Sequence, residues 1–220
     1  MSNHHGGEHP GRRAVGQVKE VTSLANPQVK DIKALALKKF RDQQNAFMAE
    51  GLKLVIDALD LGWEIRTLVF AKAGIGNAAV EKVAARTVAS GGTVLEVSEK
   101  VLSAITRRDN PQMVVGVFSQ KTVALKDVRP AANDVWVALD RVRDPGNLGT
   151  VIRTVDAVGA KGVILVGDTT DPFSVETVRA TMGSIFAVPV VKCHADAFLE
   201  WRKGFSGLLV GTHLAGSVDY

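Results

Sequence analysis

The stretch Asp140-Arg-Val-Arg-Asp-Pro-Gly-Asn-Leu-Gly-Thr-Val-Ile-Arg-Thr-Val-Asp-Ala-Val-Gly-Ala160 decides the fold. The apolar run Val135 to Leu139 leads into it. Pro145 and Gly146 impose a sharp turn, and Asn147 stands where an N-cap would stand. Leu148, Val151, Ile152 and Val155 then recur at helical spacing and form one apolar stripe. Gly159 falls on the same side, where it would permit close packing of helix on sheet. At about 100° per residue, Arg153 lies on the side opposite Val151. A strand, a tight loop and a helix in this order place polar residues at the carboxyl end of a strand, where open α/β sheets hold their ligands. No Lys-Ser/Thr follows Gly149 and no Gly-x-Gly-x-x-Gly spacing occurs here, so phosphate-loop and dinucleotide sites have little support. On spacing alone, a capped surface helix whose arginine is solvated, or paired with Asp144 or Asp156, fits equally well.

Working outward, strands recur at Val135, Val163, Val188 and Leu208 with helical pattern between them, which implies a parallel sheet over residues 135–220. Upstream, Asn26-Pro27 has N-cap and first-turn chemistry, and a helix is expected from there to about Arg41. Strands at Ala46 to Ala49, Ile65 to Ala71, Thr93 to Val97 and Met113 to Ser119 alternate with helices at Leu52 to Leu61, Asn77 to Ala89 and Ser98 to Ile105. These make a small α/β domain over residues 21–120. Residues 121–134, with Lys126, Asp127, Arg129, Pro130 and Asn133, read as a linker. Residues 1–20 read as a polar, Gly-rich disordered tail in which His4, His5 and His9 need no metal.

The chain has 220 residues, enough for one or two domains. No apolar run is long enough to cross a bilayer, so no membrane partner is expected. Cys193 is the only cysteine, which excludes an internal disulfide and fits a cytoplasmic protein. One Cys-His pair without further spaced ligands supports neither a metal site nor a thiol nucleophile. The net charge of +4 is compatible with nucleic acid without proving it. Its distribution says more: Lys30, Lys33, Lys38, Lys39 and Arg41 crowd one segment, and Arg107 with Arg108 forms a second cluster. Aromatic residues are only 5% of the chain, so base stacking is not the main binding principle; Trp63, Trp136 and Trp201 read as packing residues.

Asp144-Pro-Gly-Asn-Leu-Gly149, then Arg153-Thr154 and Gly159, resemble the first signature of the SpoU/TrmH group of RNA ribose 2'-O-methyltransferases, within the SPOUT superfamily. Gly162 to Asp168, Asp171-Pro-Phe173, Val178-Arg-Ala-Thr-Met-Gly-Ser184 and Val188-Pro-Val190 resemble its next blocks. Asn26-Pro-Gln-Val-Lys30, Lys38-Lys-Phe-Arg41 and Ala49-Glu-Gly-Leu-Lys-Leu54 resemble the group's substrate-binding domain, and Pro111-Gln112 its end. The resemblance implies S-adenosylmethionine as methyl donor, RNA as substrate (ribosomal first, transfer RNA second) and a homodimer. It implies a ribosomal-protein-like RNA-binding domain followed by a knotted α/β catalytic domain. Asn147 and Arg153 become the catalytic residues, and Lys30, Lys38, Lys39 and Arg41 the RNA contacts. Thr212, His213, Leu214 and Gly216 match the first donor-contacting loop.

The later donor blocks of the family, which build the knot, have no match before Tyr220. The catalytic domain is therefore expected to be incomplete at its C-terminus, and this chain alone to bind S-adenosylmethionine poorly and methylate little. Two rival readings follow: a non-catalytic RNA-binding module or truncated form, and a nucleotide-binding α/β protein resting only on generic strand–helix alternation.

Overall fold

The computed structural model describes residues 16–212. The first sheet has five strands in the order β1-β4-β3-β5-β2. These are β1 (Gln17–Val21), β2 (Ala46–Glu50), β3 (Ile65–Ala71), β4 (Thr93–Val97) and β5 (Val114–Ser119). β1, β4 and β3 run parallel, whereas β5 runs antiparallel to both β3 and β2. The tail expected over residues 1–20 thus ends earlier, because Gln17 to Glu20 pair with β4. Gly16 permits this approach: a Cβ there would stand 2.6 Å from the Val88 Cα and 2.7 Å from the Gly92 carbonyl oxygen. His4, His5 and His9 lie outside the described residues.

Side chains alternate across this sheet and build two cores. On one face, Val69, Leu95, Val97, Val115 and Val117 meet α1 (Pro27–Ala34) and α5 (Glu99–Thr106). On the other, Phe47, Leu68, Phe70, Val94 and Phe118 meet α3 (Leu52–Asp60) and α4 (Ala78–Ala89). The single helix expected from Pro27 to Arg41 is two: α1 ends at Ala34, and α2 spans Lys38–Gln44. Leu35 is buried at the break, and the buried Arg41 side chain donates to the carbonyl oxygens of Leu35 and Ala36 at 2.8 and 3.0 Å. A side chain supplies the partners that a continuous helix would have found in its own backbone.

The second sheet is parallel in the order β6-β7-β8, with β6 (Trp136–Asp140), β7 (Gly162–Val166) and β8 (Val190–Cys193). Every residue of β7 is buried, as a central parallel strand requires. Segment 121–134 does more than connect the sheets. Val123 bridges to Val191, and Val128 is buried against Ile164, Val166 and Val191. The fourth strand expected at Leu208 does not form. Leu208 and Val210 are 87% and 70% exposed, and no ladder partner faces them among the described residues. An extended apolar segment becomes a strand only where a neighbour completes its hydrogen bonds.

Between the sheets and their neighbours lie α6 (Pro145–Ala157), α7 (Val175–Ala180) and α8 (Ala195–Lys203). The two domains share one core. Phe47 packs on Phe173 at 4.8 Å between centroids, and Trp63 and Phe118 each meet Phe186 at 5.2 Å. Trp63 Nε1 donates to the Phe186 carbonyl oxygen at 2.8 Å, so it is a packing residue that also ties the domains.

Close packing of α6 uses a different glycine from the expected one. Gly159 is in the left-handed region (φ 69) just past the helix end, with open space around it. Gly149 instead faces α7, where an added Cβ would lie 2.9 Å from the Ala180 carbonyl carbon and closer still to its Cβ. Gly149→Ala should therefore destabilise the protein by about 1–3 kcal/mol despite alanine's better helix propensity, because backbone cannot yield as a side chain can. A lower urea midpoint at unchanged slope checks this.

Candidate functional site

The loop after β6 is fixed residue by residue. Arg141 takes a left-handed conformation (φ 49), and its N–H donates to the Val166 carbonyl oxygen at 3.0 Å. Its guanidinium binds Asp140, holding that carboxyl below the ordinary range and the guanidinium above its own. The Val142 carbonyl oxygen accepts from Thr170 N–H at 2.7 Å, and Arg143 pairs with Asp168 at 2.7 Å on the surface. The loop after β6 is thus tied to the loop after β7.

Asp144, rather than Asn147, is the N-cap of α6. Its carboxylate accepts from the Asn147 N–H at 2.6 Å, with Pro145 at the first helical position. An aspartate here also suits the positive end of the helix dipole. Asn147 is therefore inside the first turn with its side chain released from capping.

The helix buries Leu148, Gly149, Ile152 and Val155 and exposes Asn147, Thr150, Arg153 and Thr154. The two threonine hydroxyls turn back to the carbonyl oxygens of Gly146 and Thr150 at 2.9 and 3.0 Å. Arg153 has no hydrogen bond or ion pair with any described residue, and neither has the Asn147 side chain. The pairing of Arg153 with Asp144 or Asp156 that spacing allowed does not occur. The face offers one unneutralised guanidinium and one free amide, groups suited to phosphate and hydroxyl oxygens.

Of the four expected RNA contacts, Lys30, Lys38 and Lys39 are exposed. Lys38 pairs with Asp42 at 2.5 Å, a hydrogen bond that raises the ammonium pKa. Arg41 departs from expectation. It is 3% exposed, and its Nε and Nη2 bind the Asp171 carboxylate at 2.9 and 2.8 Å. A guanidinium so enclosed is out of reach of RNA. Burial pushes the Asp171 carboxyl up, but the Phe173 N–H, Lys192 and Arg41 together outweigh it and hold the pKa below its ordinary value.

A second polar link crosses the same seam, where Glu50 binds Arg179 at 2.5 Å. In the sequence, Arg179 and Glu50 stand out only as members of the Val178–Ser184 and Ala49–Leu54 blocks. A carboxylate closing the wholly buried strand β2 was the signal available. Asp171-Pro172 makes a turn, and Ser174 caps α7. Burial raises the Cys193 thiol pKa, which disfavours thiolate chemistry, and no metal-ligand cluster occurs among the described residues.

Of the expected donor residues only Thr212 falls among the described residues. Thr212 is exposed in irregular chain, while His213, Leu214 and Gly216 lie outside the described residues. The described residues do not by themselves fit an enclosed donor pocket, so the chemistry derivable from them concerns the RNA side.

This pairing of a small mixed-sheet domain with a parallel sheet, carrying a free arginine on the helix after its first strand, defines a two-domain α/β protein with a cationic helix face suited to anionic oxygens. The chain belongs to the SpoU rRNA methylase family. The SpoU rRNA Methylase family model matches residues 134–218, and the MRM3-like substrate binding domain matches residues 26–116.

Among curated relatives, the Bacillus subtilis 23S rRNA (guanosine(2553)-2'-O)-methyltransferase RlmP is 32% identical over 92% of this chain and 77% of its own length. The Streptomyces viridochromogenes 23S rRNA (uridine(2479)-2'-O)-methyltransferase is 27% identical over 81% of this chain and 64% of its own. Among solved structures, an AdoMet-bound rRNA methyltransferase from Sinorhizobium meliloti superposes with a TM-score of 0.86 at 64% identity, covering 92% of this chain and 75% of that one.

Asp171→Asn should lower stability by about 3–5 kcal/mol near neutral pH, because Arg41 stays buried without its counter-charge. A depressed folded-state pKa means that the carboxylate's contribution is complete above the unfolded value and lost as pH falls. The difference between native and variant urea midpoints should therefore narrow below about pH 4.

Proposed function

We propose that this protein transfers a methyl group from S-adenosylmethionine to a ribose 2'-hydroxyl of structured RNA, ribosomal RNA first. The observation that carries this is Arg153: exposed, unpaired, and set on the helix that follows β6 beside β7 of the same sheet. Family membership and relatives that methylate 23S rRNA support it. When bound, S-adenosylmethionine supplies a methyl already activated by its sulfonium. This chain's residues bind the RNA and arrange its oxygens. Arg153 does not serve as a base, since a guanidinium stays protonated throughout the working pH range. It clamps the phosphate beside the target ribose and lowers the cost of negative charge developing on the 2'-oxygen. Asn147, about 9 Å earlier along the same helix, holds a neighbouring sugar or phosphate oxygen. Lys30, Lys38 and Lys39 engage the RNA backbone from the first domain.

Two further parts of the reading are ours. The protein works as a homodimer, for which Val158, 70% exposed just past the end of α6, offers apolar surface. It works in the cytoplasm, which the lone unpaired cysteine supports. One observation favours a second reading, an RNA-binding module without transferase activity: the segment Leu208 to Thr212 is exposed and unpaired. Labelled methyl transfer to ribosomal RNA, run beside RNA-binding titrations, separates the two.

Arg153→Ala should reduce transfer by about a hundred-fold or more. Arg153→Lys should recover little of it, because a point charge does not copy a planar fork. Near-normal transfer by the lysine variant would refute the clamp. Replacing Lys30, Lys38 and Lys39 by alanine together should reduce the slope of log affinity against log salt by about 2–3. An unchanged slope would remove these lysines from the interface.

A further inference from the structure

The groove between the domains beside Glu50 is left unused by the function above. Glu50 closes β2 with its side chain 4% exposed. Its Oε1 accepts from Arg179 Nη2 at 2.5 Å, but its Oε2 has no hydrogen-bond partner, and Arg179 Nε has none either. Arg108 Nε stands 3.9 Å from that oxygen, beyond hydrogen-bond reach, on a side chain 43% exposed. A buried carboxylate oxygen left unpaired is costly and calls for an occupant. Glu50, Arg108 and Arg179 line a groove of about 470 Å³ whose apolar walls include Met48, Leu52, Val178 and Met182, although Glu50 Oε2 itself has almost no solvent access while Arg108 stands beside it. An apolar cleft at a domain interface with a few convergent polar groups is the ordinary form of a small-ligand site. Arg153 does not line it.

The polar groups restrict what can enter. Two guanidiniums and one carboxylate disfavour an amine, while an anion could pair with Arg108 or Arg179 but would leave Glu50 Oε2 without a donor. A neutral planar group with N–H donors beside a carbonyl satisfies both charges. Guanine is the standard base whose Watson–Crick edge sets two N–H donors next to a carbonyl. We propose that this groove captures an unstacked guanine of the bound RNA. Its N1–H and N2–H donate to Glu50 Oε2, which has lone pairs for both, and its O6 accepts from Arg108 once that exposed side chain swings off the carboxylate. The apolar walls cover the faces of the base, as proteins reading single-stranded RNA segments do. The proposal rests on the RNA-binding function above and adds a specificity determinant to it.

The test uses the 220-residue chain and fluorescence anisotropy with short labelled oligouridines carrying one central guanosine, inosine or adenosine. The guanosine probe should bind about ten-fold tighter than the adenosine probe, with inosine between them because it lacks the N2 amino group. Glu50→Gln should bring guanosine to the adenosine level and leave adenosine binding unchanged. Arg108→Ala, at a side chain 43% exposed that makes no hydrogen bond to Glu50, should lower the guanosine preference as well. The near-ultraviolet signal of Trp63 reports whether the Glu50 variant keeps its domain interface. Binding of all three probes with equal affinity, or a preference that survives Glu50→Gln and Arg108→Ala, overturns the groove while leaving RNA binding intact. Failure of every probe to bind, with ribosomal RNA still bound, overturns the groove; failure of ribosomal RNA to bind as well overturns the RNA reading.

Discussion

One buried ion pair governs how the two halves of this protein meet. Arg41 and Asp171 are separated by 130 residues, yet they form a two-point contact with almost no solvent access. Neither charge would tolerate this alone, since removing an ion from water costs several kcal/mol even after relaxation. Each is therefore saturated. Arg41 also caps the break between α1 and α2, and Asp171 also receives the Phe173 N–H. The pair forces the segment carrying Lys38 and Lys39 to lie against the loop that follows β7.

That loop in turn holds the turn that launches α6. Thr170 hydrogen-bonds Val142, and Asp168 meets Arg143, on either side of the turn that launches α6. A continuous set of contacts thus runs from the lysines of α2 to the helix bearing Asn147 and Arg153. Around it the aromatic cluster of Phe47, Trp63, Phe118, Phe173 and Phe186 removes apolar surface from both domains at once. Charge fixes the register of the interface, and hydrophobic burial supplies most of its stability. A rigid seam suits an enzyme that must hold folded RNA in one place and present one of its hydroxyls in another.

Much of this was legible in the chain before any coordinates. Period-two and period-three-to-four patterns located the strands and helices of both sheets, because burial on one face is a local demand. The first signature placed Arg153 on the outer face of α6, where it stands. What local pattern misplaced has a common cause. Arg41 looked like one more cation in a basic segment, and only its distant partner buries it. Asn147 looked like a cap until Asp144 took that role through a three-residue hydrogen bond. Close packing falls to Gly149 and not, as expected, to Gly159, because helix-to-helix approach depends on what lies opposite. β1 was missed because four of its five residues are exposed and its pairing with β4 carries no apolar signature.

The sequence by itself determined the class of fold, the strand–turn–helix that carries Arg153, and membership of a ribose methylase family, since each is written in contiguous residues. Tertiary structure alone decided which charges are free and which are spent inside. Arg153 and Asn147 are available, whereas Arg41, Asp171, Glu50 and Arg179 are committed to the seam between domains. The reason is physical: the state of a charged side chain depends on the dielectric and the partners around it, and those are contributed by residues far away in the chain.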